Sequence, residues 1–199
     1  MTYSIAQFFL LGFLTFIFVG VITPPVRQLA LRLDAVDAPT LARKAQKEPV
    51  PYLGGVAIAL GIVAASYGSL LAVSFSLETV KLASFVLVPA MAISAMGLWD
   101  DLKGLEPWPR LVAQTFTGII VAVILTVTDT MGFAFNNHYL NYFITVVWIV
   151  GVCNSINFFD NHDGGAAGTV AVITFFLFFI AYDRQQILVS ALAIVTAGA

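Results

Sequence analysis

The first long segment of the chain, residues 5–26, has the sequence IAQFFLLGFLTFIFVGVITPPV and contains no Lys, Arg, Asp or Glu. It is too long for the core of a signal peptide, and it lacks both a preceding basic segment and a following small-residue cleavage pattern. Over the whole chain of 199 residues, 60% are hydrophobic and 10% are charged, against about 45–50% and 25% in soluble domains. A water-soluble fold cannot bury this much apolar surface, so the segment predicts a first membrane-spanning helix.

Further apolar runs have about the 20-residue length that a bilayer crossing requires. They are continuously apolar, whereas a strand of a membrane barrel alternates between apolar and polar residues, so they predict helices. The last run begins at Ile187 and is too short to cross. We therefore expect an all-α fold, a polytopic transmembrane helical bundle with six complete spans plus a truncated seventh. The predicted complete spans are residues 5–26, 54–75, 82–98, 111–128, 141–153 with a short extension, and 166–182.

The chain is expected to form a single membrane-embedded domain over residues 1–199 that is incomplete at its C-terminus. Prolines are expected at or just beyond the span ends, where a missing backbone donor does least harm. These prolines are Pro24, Pro25, Pro49, Pro51, Pro107 and Pro109.

The distribution of Lys and Arg predicts the orientation, because cytoplasmic loops carry the excess of positive charge. Seven of the 9 basic residues fall after the first and third spans, at Arg27, Arg32, Arg43, Lys44, Lys47, Lys103 and Arg110. Only Lys81 and Arg184 fall on the other side. The N-terminus is therefore expected outside, and the cytoplasmic loops at about residues 27–53, 99–110 and 154–168. A net charge of −2 gives no basic patch of the size that nucleic-acid binding requires.

Two adjacent carboxylates, Asp100 and Asp101, lie in the second of these loops. At the mouth of a span they repel each other, so a cation or a proton must usually join them. A hard divalent cation such as Mg²⁺ suits oxygen ligands of this kind. The alternative, a solvated acidic pair that ends a helix, stays open.

The third cytoplasmic loop carries amides and carboxylates at intervals of three residues: Asn154, Asn157, Asp160 and Asp163. On a helical continuation of the fifth span, this spacing places them along one stripe that can hold a single ligand. Ordinary loop chemistry also favours Asn, Asp and Gly. His162 is more readily explained as a hydrogen-bonding loop residue than as a general base, and without a second His or Cys nearby it does not make a zinc site.

The first cytoplasmic loop contains Arg43 and Lys44, which can clamp phosphate oxygens. The orientation of the protein already explains these charges. Both interpretations stay open, because a charge that sets orientation is also free to bind a ligand.

Together and in this order, the three loops resemble the polyprenyl-phosphate N-acetylhexosamine-1-phosphate transferase family (glycosyltransferase family 4). The family pattern of Asp-x-Pro, Arg-Lys and Pro-x-Pro-x-x-Gly-Gly is met within residues 37–55. Its Asp-Asp-x-x-Gly-Leu is met at residues 100–105, and its Asn-x-x-Asn-x-x-Asp-x-x-Asp-Gly at residues 154–164. The chain departs from the pattern at Gln46, where His is common, at Asn161, where Gly is frequent, and at Gly165, where Leu is usual.

The resemblance implies transfer of a sugar 1-phosphate from a UDP-N-acetylhexosamine to a polyprenyl phosphate, with release of UMP, during cell-envelope synthesis. It implies Mg²⁺ as the cofactor, with Mn²⁺ as an alternative, and a multi-pass protein of the bacterial inner membrane; a homodimer stays open. The implied catalytic residues are Asp100, Asp101, Asp160 and Asp163. The implied substrate-binding residues are Lys44, Asn154, Asn157 and His162, and the implied metal ligands are Asp100, Asp101 and Asn157.

Two other interpretations remain. A multi-span transporter also carries intramembrane carboxylates, but it generally places them near the middle of the bilayer. An inactive truncated homologue is the other, because family members are usually longer and their second half supplies another metal-binding aspartate and a histidine-rich loop. The chain by itself is accordingly expected to be inactive.

Overall fold

A computed structural model describes residues 3–37, 50–73, 76–130, 137–160 and 164–199. Within these ranges the chain forms seven α-helices and one pair of two-residue strands. The helices are α1 (Ile5–Arg32), α2 (Gly54–Val73), α3 (Leu77–Lys103), α4 (Pro107–Val127), α5 (His138–Phe159), α6 (Gly165–Asp183) and α7 (Ile187–Gly198). The antiparallel strands are β1 (Val36–Asp37) and β2 (Val50–Pro51).

Several helix ends follow from local sequence. Ser4 and Gln7 form a capping box at the start of α1, in which the Ser4 Oγ accepts from the Gln7 N–H and the Gln7 Oε1 accepts from the Ser4 N–H. The Asn137 side chain caps α5 by accepting from the Leu140 N–H at 3.2 Å. Pro107 occupies the first turn of α4, where its missing N–H costs nothing.

The helices extend beyond several of the predicted spans. α3 begins at Leu77 and ends at Lys103 rather than covering residues 82–98 only, and α4 begins at Pro107. Hydropathy marks only the part of a helix that lies in hydrocarbon, whereas a helix can continue into the hydrated interface with charged residues such as Glu78 and Lys81. The predicted loop of residues 99–110 is therefore reduced to a connection of residues 104–106.

The expectation for Pro24 and Pro25 was wrong, because both lie inside α1, which continues to Arg32. Each proline removes one backbone donor, and a helix near the membrane surface can tolerate this loss where water or neighbouring groups satisfy the freed carbonyl. Pro89 is likewise inside α3.

The described residues confirm the prediction of a polytopic helical bundle, since α1 to α6 are each long and apolar enough to cross a membrane. Large apolar side chains point away from the bundle, among them Phe13, 60% exposed, and Phe16, 64% exposed. In water such a surface would be unstable, whereas lipid solvates it. The protein is therefore a multi-pass membrane protein.

Several helix contacts in the described bundle are made at glycines, among them Gly12 and Gly118. α1 packs against α7 where a Cβ on Gly12 would lie 2.9 Å from the Ile194 Cγ1. α4 packs against α5 where a Cβ on Gly118 would lie 3.4 Å from the Val146 Cα. Small residues at such points let helices approach closely in a membrane, where apolar burial alone gives little drive to associate.

The two short strands join the end of α1 to the start of α2. Val36 pairs with Pro51 and Asp37 with Val50, and the Tyr52 N–H donates to the Ala35 carbonyl oxygen at 3.0 Å. This pairing holds residues 50–53 beside the end of α1 and fixes where α2 begins.

Candidate functional site

A cleft of about 1290 Å³ lies between α2, α3 and α5. It extends along α2 from Gly54 to Val63, a distance of about 14 Å at 1.5 Å per residue. Its deeper wall is largely apolar, with contributions from Ile58, Ala59, Leu60 and Val63 of α2 and Met91 and Ala95 of α3. The cleft thus joins one end of the bundle to its membrane-embedded part.

Three motif segments that are distant in sequence line the polar end of this cleft. The first contributes residues 50–52 together with Gly54 and Gly55, the second contributes Asp101, and the third contributes Asn154, Asn157 and Asp160. The corresponding ends of α2, α3 and α5 therefore line one cleft, as a shared binding site requires. The roles assigned to the individual residues stay predictions.

The two adjacent aspartates point in different directions. The Arg110 Nη1 donates to the Asp100 Oδ2 at 2.6 Å, and the Leu105 N–H donates to the Asp100 Oδ1 at 2.9 Å. The Asp100 side chain is only 16% exposed and does not line the cleft, whereas Asp101 does. Successive helical residues are about 100° apart around the axis, since a turn has 3.6 residues, so a helix separates neighbouring carboxylates in this way.

The end of α3 is closed around Asp100. Gly104 has a φ of 64°, and its N–H donates to the Asp100 carbonyl oxygen at 2.7 Å. This left-handed residue ends the helix and turns the chain toward α4. Asp100 thereby holds the connection through its backbone and its side chain, and the guanidinium of Arg110 supplies the cation that its carboxylate needs.

The end of α5 carries the other polar residues that line the cleft. α5 continues to Phe159, so Asn154 and Asn157 are helical, and Asp160 is the C-cap, with its N–H donating to the Ile156 carbonyl oxygen at 3.1 Å. The spacing of three residues places all three side chains on the cleft wall. Gly164, with a φ of 70°, is the N-cap of α6.

Sequence reasoning missed Gln114, a buried residue of α4. Its Oε1 accepts from the Asn154 Nδ2 at 2.6 Å, and the same Nδ2 donates to the Val150 carbonyl oxygen at 2.8 Å. An amide inside an otherwise apolar span is a signal in itself, because such a group needs a partner in the membrane. The sequence could have indicated the residue but not that its partner lies on α5.

Three of the predicted site residues, Lys44, His162 and Asp163, lie outside the described residues, as does Arg43. Their roles stay predictions.

The oxygen-rich wall suits a hard cation. Among the described residues no group of three or more His, Cys, Asp or Glu side chains could hold a metal ion. Mg²⁺ does not require such a cage, because it keeps several waters and is commonly held by one or two carboxylates together with substrate phosphates. The carboxylates of Asp101 and Asp160 and the amide oxygen of Asn157 are possible oxygen ligands of this type on the cleft wall. The Asp100 carboxylate binds Arg110 and does not line the cleft.

The fold and the cleft define a multi-pass membrane protein whose polar site opens onto a membrane-embedded apolar wall. The sequence profile of glycosyl transferase family 4 matches residues 82–199, and the chain belongs to this family. The resemblance found in the three loops is thereby confirmed.

Curated relatives carry related names. The chain is 28% identical over 182 residues to the probable undecaprenyl-phosphate N-acetylglucosaminyl 1-phosphate transferase of Bacillus subtilis (strain 168), an alignment covering 88% of this chain and 48% of the relative. It is 34% identical over 162 residues to the decaprenyl-phosphate N-acetylglucosaminephosphotransferase of Mycobacterium tuberculosis, covering 73% of this chain and 38% of the relative. It is 25% identical over 122 residues to the phospho-N-acetylmuramoyl-pentapeptide-transferase of Limosilactobacillus fermentum, covering 55% of this chain and 38% of the relative.

The chain thus spans about half or less of the length of these relatives. The comparison with solved structures found no match.

Proposed function

We propose that this protein takes part in transferring a sugar 1-phosphate from a UDP-N-acetylhexosamine to a polyprenyl phosphate, releasing UMP, in the synthesis of cell-envelope polysaccharide. The names of the relatives support the acceptor and the type of transfer. The UDP-linked donor, the release of UMP and a requirement for Mg²⁺ are the further content of the proposal.

The observation that carries this proposal is the convergence of three motif segments on one cleft with an apolar extension. A polyprenyl phosphate has a chain that is soluble in the bilayer and a charged head, whereas a nucleotide sugar arrives from water. A site for both must be polar at one end and apolar along its depth, as this cleft is. Its volume of about 1290 Å³ also exceeds the roughly 300–1,000 Å³ of a usual small-molecule site, which suits two substrates.

In the proposed reaction, an oxygen of the polyprenyl phosphate attacks the phosphorus that carries the sugar. A new oxygen–phosphorus bond forms, the bond between the two phosphoryl groups of the donor breaks, and UMP leaves. Such transfers depend mainly on positioning and charge neutralisation. Asp101 is our candidate to accept a proton from the attacking phosphate or to bind the metal.

Asn157 and Asp160, with Asp163 beyond the described residues, are proposed to hold the metal and orient the nucleotide sugar. A bound Mg²⁺ would supply neutralisation of the charge on the diphosphate. Lys44 is proposed to contact phosphate oxygens and His162 to hydrogen-bond the donor. Asp100 is proposed to act through the shape of the α3–α4 connection, because its carboxylate is held by Arg110.

The cleft end of the bundle is proposed to face the cytoplasm of a bacterium, with the N-terminus outside. Arg27 and Arg32 lie in the last turns of α1, Lys103 ends α3 and Arg110 lies in the first turn of α4. All four are at the cleft end, which agrees with the excess of positive charge on cytoplasmic surfaces.

The activity test uses membranes that contain the whole gene product, incubated with polyprenyl phosphate and a panel of UDP-sugars. We expect UMP release and a polyprenyl diphosphate sugar, detected by chromatography and mass spectrometry, with one UDP-N-acetylhexosamine and not with others. Chelation of divalent cations should stop the reaction, and added Mg²⁺ should restore it. Membranes without the protein are the control, and no lipid product with any donor would refute the proposal.

The orientation test uses single cysteines in a Cys153→Ala background. A cysteine at the exposed position Arg184, in the α6–α7 connection, should react with an impermeant maleimide in spheroplasts. A cysteine at the exposed position Glu106, in the α3–α4 connection, should react only after lysis. The opposite pattern would reverse the proposed orientation.

A further inference from the structure

The side-chain amide of Gln114, in α4, forms a hydrogen bond with a residue of the candidate site, Asn154. Gln114 is 7% exposed in a helix otherwise suited to lipid, and burying an amide is costly unless it is hydrogen-bonded. The close approach of α4 and α5 at Gly118 and Val146 brings its Oε1 within 2.6 Å of the Asn154 Nδ2.

The contacts of Asn154 determine which way its amide is turned. The atom that lies 2.8 Å from the Val150 carbonyl oxygen must be a donor, because a backbone carbonyl oxygen can only accept. This atom is therefore Nδ2, and its partner on Gln114 must be the acceptor Oε1. An amide nitrogen has two hydrogens, and these two bonds use both.

The Asn154 Oδ1 is the polar atom that remains for the cleft. Both hydrogen bonds described for the Asn154 side chain are made by Nδ2, and Asn154 lines the cleft together with Asp101, Asn157 and Asp160. We propose that Gln114 is a positioning residue that locks the Asn154 amide so that its oxygen faces the cleft. The proposal rests on the proposed function, because it assigns a chemical polarity to that same site.

This orientation selects the chemistry of the ligand group near Asn154. An amide oxygen attracts a cation or an N–H or O–H donor and repels a phosphate oxygen. The ligand group is thus either a divalent cation or a donor group of the nucleotide sugar. If the Asn154 amide were reversed, its N–H groups would face the cleft and could donate to a phosphate, although the neighbouring carboxylates would repel that phosphate.

Two substitutions of the same residue test the proposal in the whole gene product in detergent. Gln114→Leu removes the acceptor at similar size, whereas Gln114→Glu keeps an acceptor oxygen whether or not its carboxyl group is ionised. Thr117→Val is the matched control, since Thr117 is a buried polar residue of the same helix whose Oγ1 only donates to the Ala113 carbonyl oxygen. Melting temperatures of all variants check the fold.

Three readouts are measured: the affinity for Mn²⁺ by electron paramagnetic resonance, the affinity for UDP-N-acetylglucosamine by calorimetry, and UMP release. Gln114→Leu should weaken one of the two bindings and lower kcat/KM about tenfold, the effect of one lost hydrogen bond. Gln114→Glu should stay within about threefold of the parent, and Thr117→Val should not differ from it. A change in Mn²⁺ affinity assigns Oδ1 to the cation, and a change in nucleotide-sugar affinity alone assigns it to the donor.

Equal losses in Gln114→Leu and Gln114→Glu would overturn the proposal, because acceptor chemistry would then not matter. Unchanged binding and turnover in Gln114→Leu would overturn it too. Absence of UMP release from the parent protein would refute the proposed function instead, while the two binding measurements would still decide the role of Gln114.

Discussion

The ends of α3 and α5 both line the cleft, yet they use their polar residues differently. At the end of α3, Asp100 is bound to Arg110 and to the Leu105 N–H, and of the two aspartates only Asp101 lines the cleft. At the end of α5, Asn154, Asn157 and Asp160 all line it. In the motif at the end of α3, one aspartate holds the α3–α4 connection and the other lines the site. In the motif at the end of α5, all three polar residues line the site.

α4 connects these two arrangements. Arg110, Gln114 and Gly118 are spaced by four residues, so they lie along one side of the helix. Arg110 binds Asp100 of α3, Gln114 binds Asn154 of α5, and Gly118 lets α5 approach. α4 contributes no residue to the cleft lining, yet its contacts help to position both motif-bearing helices.

The largest effect on turnover should come from a substitution of Asp101, the aspartate of α3 that lines the cleft. Asp101→Asn should lower UMP release by at least about 100-fold, the scale seen when an electrostatic contact to reacting groups is removed. The measurement is turnover at saturating substrates, with membrane insertion checked by fractionation. Activity close to that of the parent would remove Asp101 from the proposed mechanism.

A smaller loss of activity, accompanied by a loss of stability, should follow from breaking the Asp100–Arg110 pair. Asp100→Asn keeps an acceptor for the Leu105 N–H but removes the charge that binds Arg110, and a hydrogen bond to a charged group is worth about 1.5–3 kcal/mol. We expect a lower Tm and less than a tenfold loss of turnover. Arg110→Gln should resemble it, and the double variant should be no worse than either single one, since they share one interaction.

This experiment also separates the two aspartates. If Asp100→Asn abolished turnover at an unchanged Tm, Asp100 would be catalytic, as the family resemblance implied, and the division of roles at the end of α3 would be wrong.

Much of the fold could be predicted from the sequence, because lipid imposes a simple rule on apolar runs. The six spans, their order and the helical stripe from Asn154 to Asp160 follow from hydropathy and from the helical period. The helix ends could not be predicted from hydropathy, since α1 continues through Pro24 and Pro25 and α3 continues to Lys103. Residues 27–32 of α1 and 99–103 of α3 lie beyond the predicted apolar runs, so hydropathy does not mark them as helical.

The details of the site depended on tertiary contacts that sequence spacing does not contain. Asp100 and Asp101 are chemically identical, and only the location of α2 and α5 decides which one lines the cleft. The bond between Gln114 and Asn154 joins residues 40 positions apart. The pairing of β1 with β2 involves strands of two residues each, too short for any periodic pattern to reveal.

The smallest effect on turnover should come from a substitution of Gly104. This residue forms the turn at the end of α3 and does not line the cleft. Gly104→Ala places a Cβ on a residue with a φ of 64°, which costs about 1–2 kcal/mol in the left-handed region. Space is not the cause, because a Cβ there would meet nothing within 4 Å. We expect a Tm lower by a few degrees and turnover within about threefold of the parent, because Gly104 does not line the cleft.

Gly104→Asn is the matched control, because Asn adopts the left-handed conformation more readily than Ala. It should recover most of the lost stability. If Gly104→Ala instead reduced turnover as strongly as Asp101→Asn, the connection that Asp100 and Gly104 build would itself position the reacting groups. The ends of α3 and α5 would then still differ in structure, but residues at both ends would contribute directly to the reaction.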